Sequence, residues 1–262
     1  MTSYMKSYMK PGGCSAMVIL RFLALTLGLM NVSPVAAVPS GIITEQEMAL
    51  IPPYCPYAQL FPKNLAPERK QWEARLGPGF PSIHHYCWGQ INFQRALRSN
   101  TSSQDRRFLL GTVISDYEFV IGSVQSQGKD FVLLPEIFTR KGEVELLLAR
   151  FKDANTSFAR ARALKPDYWP AYSAWAGFLI RSGHSVEAKQ LVQSGLEYSP
   201  NSRVLREQYR SLGGNPSDIK PNVKLPTPGS TTDQSGTPVP EGDEVPSVDF
   251  HTEPPVGESP HQ

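Results

Sequence analysis

Between Pro135 and Gly214 small and apolar residues recur at a fixed interval. Phe138 and Tyr172, Ala154 and Ala188, Phe158 and Val192, Ala161 and Gly195, and Pro166 and Pro200 each stand 34 residues apart. Inside each unit the apolar positions return every three to four residues, the period of an amphipathic helix. A single break per unit makes each one a helix-turn-helix repeat. Gly142, Ala154, Ala161, Ala188 and Gly195 are small where paired helices must approach closely. Phe138, Phe158, Tyr172, Trp175 and Val192 are the large residues that fill the space between them.

Local signals support these boundaries. Leu134-Pro135-Glu136 and Trp169-Pro170 place a proline in the first turn of a helix, and Glu136 adds an acid at the positive dipole end. Asn201 and Ser202 can cap a last helix carrying Val204, Leu205, Tyr209 and Leu212, ended by Gly213-Gly214. Its Arg203, Arg206 and Arg210 suit the solvated end of a helical stack. Upstream, Ile83 to Arg98 reads as a helix, Ser99 to Ser103 as a turn, and about Gln104 to Val124 as a second helix. Gly89, Ala96 and Gly111 are small enough for this pair to touch. The 34-residue frame fails there, landing on Val120 and Val132, so a loop at Gln125 to Asp130 shifts the register.

The ends differ from this middle. Lys6, Lys10 and Arg21 precede the apolar run Phe22 to Met30 and the small-residue site Val35-Ala36-Ala37, the order of a secretory signal. The run is shorter than the ~20 apolar residues a membrane span needs. Cleavage is expected after Ala37, removing Cys14 with the signal. After Gly214 the chain carries 10 of its 24 prolines. Its Ile219, Val223, Leu225 and Phe250 are too scattered for a core, so a disordered tail is expected. The overall charge of +2 hides an asymmetry. Val38 to Gly214 holds 21 Lys+Arg against 16 Asp+Glu, or +5, whereas the tail holds 2 against 8, or −6. The expected organisation is a signal over 1–37, a Pro-rich segment over 38–82 and a degenerate helix pair over 83–134. Repeats over 135–168 and 169–202, a capping helix over 203–214 and a tail over 215–262 complete it.

The matched positions, and the junction Pro166-Asp167-Tyr168-Trp169-Pro170-Ala171-Tyr172, resemble tetratricopeptide repeats. With His84-His85-Tyr86-Cys87-Trp88-Gly89 the chain is also similar to small exported bacterial proteins of that type. The resemblance implies an all-α fold, a short right-handed superhelix without catalytic activity or cofactor. It would bind a protein or peptide in a groove lined by the first helix of each pair. The groove positions carry over to Glu136, Thr139, Glu143, Leu146 and Leu147, then to Pro170, Ser173, Gly177, Ile180 and Arg181. Of the basic clamp that chaperone-binding members use on a terminal carboxylate, only Arg181 is present. The trough combines small Ser173 and Gly177 with apolar Leu146, Leu147 and Ile180, which alternatively serve as core.

Cys55 and Cys87 remain after signal removal, and an even pair in an exported chain favours a disulfide. The alternative is a metal- or redox-linked site built from Cys55, Cys87 and His84, which shares a helix face with Cys87. His84 and His85 otherwise read as packing residues. No nucleophile elbow or dinucleotide-binding turn occurs, and Gly122 to Lys129 lacks the spacing of a phosphate loop. Glu136, Glu143 and Glu145 read as carboxylates of a helix start and an exposed face. Arg150, Lys152, Arg160, Arg162 and Lys165 form a basic helix without the interleaved aromatics of a nucleic-acid binder. The expectation is a periplasmic or secreted scaffold for a protein partner, with no nucleic acid and no membrane span in the mature chain. An accessory role in polysaccharide machinery is the further alternative that the basic body leaves open.

Overall fold

A computed structural model describes residues 42–126 and 131–222. The expected signal, the chain beyond Asn222 and the loop centre at 127–130 lie outside the described residues. The fold is all-α, with no strand among the described residues. Two short helices, α1 (Glu45–Ala49) and α2 (Arg69–Leu76), precede three helical hairpins. These are α3 (Ile83–Ala96) with α4 (Ser103–Ser126), α5 (Leu134–Leu147) with α6 (Phe151–Leu164), and α7 (Trp169–Arg181) with α8 (Ser185–Tyr198). Helix α9 (Arg203–Ser211) closes the stack. No described helix is long and apolar enough to cross a membrane.

The caps follow from the sequence. Ser102 Oγ accepts from the Asp105 amide at 3.1 Å ahead of α4, and Pro135 and Pro170 occupy the first turns of α5 and α7. Ser202 is the N-cap of α9, accepting from the Leu205 amide at 3.4 Å. Within the hairpins the small residues are where the helices meet. A Cβ on Gly142 would sit 2.9 Å from the Phe158 ring, and one on Gly195 would sit 2.9 Å from both Tyr172 and Leu205. In the first pair only one of the two expected glycines works this way. A Cβ on Gly89 would strike Tyr117, whereas Gly111 faces open space, because α4 turns a different side toward α3.

The hairpins stack in sequence. α5 packs on α4, and α7 packs on both α5 and α6. α9 packs on both α7 and α8. One hydrophobic cluster joins the N-terminal segment, α3, α4 and α5, around Tyr86, Tyr117, Phe61, Phe80 and Ile137. A second joins α6 to α9, around Phe158, Tyr172, Trp175, Val192 and Leu205.

The Pro-rich segment is tied to α3 twice. Cys55 and Cys87, both fully buried, lie at disulfide distance with an S–S separation of 2.04 Å. Glu47, almost fully buried on α1, accepts from Arg95 Nε at 2.7 Å and from Arg98 Nη2 at 2.5 Å. Its hydrogen bond with Arg95, despite the cost of burial, holds the carboxyl pKa down at about 2. At the other end the expected start of the tail shifts. Residues 215–222 stay on the fold, because Ile219 packs against the second cluster and the Asn222 amide donates to the Glu197 carbonyl at 2.7 Å.

Candidate functional site

The expected groove residues fall into two groups. On α5, Glu136 Oε1 accepts from Tyr86 Oη at 2.6 Å, and Glu143 Oε2 accepts from Arg140 Nη1 at 3.0 Å. Both carboxylates are half-buried rather than on a free face. Thr139 between them is buried and donates to the Pro135 carbonyl at 2.8 Å, so it presents nothing to a partner. On α7, Ser173 is half-buried, and its carbonyl accepts from Gln208 Nε2 of α9 at 3.2 Å. A Cβ on Gly177 would meet only Arg181 Nη1, at 3.4 Å, so the space beside Gly177 is open apart from that guanidinium. Leu146 and Ile180 pack against the second cluster and Leu147 against the first, each partly buried. They serve the core and the wall at once. Pro170 is half-buried in the first turn of α7.

The sequence did not announce what surrounds Glu136. Tyr54, Tyr86, Tyr117 and Tyr168 come from four separate stretches of the chain and share electrostatic surroundings with Glu136 and Arg140. The Tyr86 and Tyr117 rings lie 5.2 Å apart. Burial pushes all four phenols up, and the Glu136 carboxylate adds to it at each of them. These hydroxyls therefore stay protonated and act as hydrogen-bonding groups. Arg140 is strongly buried; burial opposes its charge, yet Glu143, Tyr86 and Glu136 more than offset that and keep its pKa raised. The Tyr54 hydroxyl is the one member of this cluster known to be buried without a hydrogen-bond partner among the described residues. Such a group costs on the order of 1–3 kcal/mol.

A different face carries an open cavity of about 770 Å³ between α4, α5 and α6. Its floor is Glu145, which is buried, contrary to the exposed face expected for it. The reason is local: Lys141 one turn earlier pairs with Glu145, and Ser157 Oγ of α6 donates to it at 2.6 Å. The same Lys141 ammonium reaches Glu118 of α4 at 3.4 Å. Arg150, Asp153, Thr156 and Arg160 form the outer wall.

The residues of the metal or redox alternative do not assemble as ligands. The two sulfurs face one another, and His84 Nδ1 lies 3.1 Å from the Pro81 carbonyl. No group of three metal-ligating side chains occurs among the described residues. His85 instead contacts Asp116 Oδ1 at 2.9 Å and stacks on Phe119 with ring centres 3.8 Å apart, joining α3 to α4. His184 is exposed at the N-cap of α8. Comparison with known proteins finds no matching family model, no similar curated protein and no similar solved structure.

Proposed function

We propose that the chain is an exported tetratricopeptide-type scaffold that holds a segment of a partner protein along the row formed by α5, α7 and α9. The observation that carries this reading is the stacking order. Helix α7 packs on both α5 and α6, and α9 packs on both α7 and α8, so α5, α7 and α9 follow one another in a row with α6 and α8 alongside. An inner row of that kind is how a stack of helical pairs makes an extended binding surface. Two features of the row support its use. Gly177 leaves room beside α7, and the half-buried Glu136 and Glu143 carboxylates give α5 a polar stretch able to orient a bound backbone. The paired, fully buried cysteines support an oxidising compartment, periplasmic or extracellular.

The test is Gly177→Trp. The new Cβ would meet only the Arg181 guanidinium, at the ordinary contact distance of 3.4 Å, so the variant should fold, with an unchanged circular dichroism spectrum and melting midpoint. Partner co-purification from the native compartment should fall by about tenfold or more, the equivalent of ~1.4 kcal/mol. Full capture by a folded Gly177→Trp chain would overturn the groove assignment.

A further inference from the structure

The basic helix α6 is not absorbed by the scaffold reading. Arg150, just before it, and Lys152, Arg160 and Lys165 are exposed. None of the four makes an ion pair among the described residues. Arg162 is half-buried, with its guanidinium 5.5 Å from the Tyr172 ring centre. Asp153 is the single acid on α6, Glu118 stands across the cavity already shared with Lys141, and Glu145 is satisfied by Lys141 and Ser157. Arg150 and Arg160 line the open cavity, and Lys152 and Lys165 add two exposed cations on α6 and just past its end, with Asp153 the single acid on that helix.

The chain carries the complementary charge itself. Residues 223–262 hold seven Asp+Glu and one Lys, and Glu241, Asp243 and Glu244 lie within four consecutive positions. The last described residue is held at the C-terminal end of α8. Asn222 is bonded to Glu197, and its Nδ2 donates to Tyr198 Oη at 3.3 Å. Ser199 Oγ, next in the chain, donates to the Asp167 carbonyl at 2.8 Å, two residues beyond Lys165. The acidic cluster lies about 20 residues past Asn222, a length whose span is about 25 Å as a flexible coil and about 60 Å as an extended polyproline strand. Helix α6, with 14 residues, is about 21 Å long. A linker of that span can cover the whole length of α6, which favours a high effective concentration of the cluster there.

We propose that the acidic cluster Glu241–Glu244 docks in cis on the basic face of α6, at Arg150, Lys152, Arg160 and Lys165. The contact shields those cations from other polyanions. Each exposed pair contributes at most modestly and is screened by salt, so the docking is reversible and ionic-strength dependent.

Zero-length carbodiimide coupling of the full chain, followed by peptide mapping, tests it at low salt and at about 0.5 M NaCl. Linkages from Glu241, Asp243 or Glu244 should concentrate on Lys152 and Lys165, severalfold above Lys63, Lys70 and Lys189, and should fade at high salt. The double variant Arg150→Ser/Arg160→Ser, which removes two exposed charges from the face and no core contact, should lower that yield severalfold with an unchanged spectrum. An even spread over the lysines, or a yield indifferent to salt and to the arginines, would overturn the proposal. So would links found only between light and heavy isotopic copies, because those place the contact between chains.

Discussion

The two halves of the molecule reach stability by different routes. The half built from the N-terminal segment, α3 and α4 draws its core from distant parts of the chain. It is tied internally by the Cys55–Cys87 pair and the Glu47–Arg95–Arg98 cluster, and to α5 by the Tyr86–Glu136 hydrogen bond, with partners 32, 48 to 51 and 50 residues apart. The half from α5 to α9 relies on neighbours. Gly142 against Phe158, Gly195 against Tyr172 and Leu205, and the stacked rings of Phe151 and Phe178 all join adjacent helices. Where helix faces repeat, close packing alone suffices. Where they do not, long-range contacts carry a loop-closure cost, and covalent and ionic ties offset it.

Removing the covalent tie should therefore have the largest and most one-sided effect. Replacing Cys55 and Cys87 together by Ala is expected to destabilise the fold by about 3–4 kcal/mol on the loop-entropy scale. Hydrogen exchange should rise first in α3 and α4, and an equal rise in α7 to α9 would erase the distinction between the halves. Glu47→Gln, which leaves two arginines without their buried partner, should cost about 3 kcal/mol in denaturant unfolding. The sign of its pH dependence follows from the lowered pKa. The native carboxylate contributes stability above about pH 4.5 and loses it as the pH falls toward 2. The Glu47→Gln chain should lack that part of the acid transition, and an unchanged acid midpoint would show that Glu47 is not the tie.

In the repeated half, Gly195→Leu should cost about 2 kcal/mol by forcing Tyr172 and Leu205 apart. The loss should appear as early exchange in α8 and α9, with α3 and α4 protected. Ser202→Ala should have the smallest effect, about 1 kcal/mol, as fraying of α9.

The same contrast explains what could be read before the fold was known. The helices α5 to α8 were legible because a helix that must touch its neighbour shows a small residue at each contact, and Gly142, Ala154, Ala188 and Gly195 carry that mark in the sequence. The α3–α4 pair was legible as helices but not in its packing. Gly89 and Gly111 look alike in the chain, and only the rotation of α4 decides that Gly89 meets Tyr117. Glu145 looked like a surface carboxylate because its partners, Lys141 and Ser157, become meaningful only once α5 and α6 fold together. Around Glu136, four tyrosines scattered from position 54 to 168 have no period to betray them. Ile219 reads as an isolated apolar residue, yet it finds a place on the second cluster because Asn222 is anchored to α8.

The scaffold proposal is tested most directly by placing a photo-crosslinking side chain at Gly177, and separately at the exposed Val186 on α8, in the native compartment. The account predicts one discrete partner adduct from Gly177 and none from Val186. Adducts from Val186 alone, or the same products from both positions, would contradict an inner row that holds a partner.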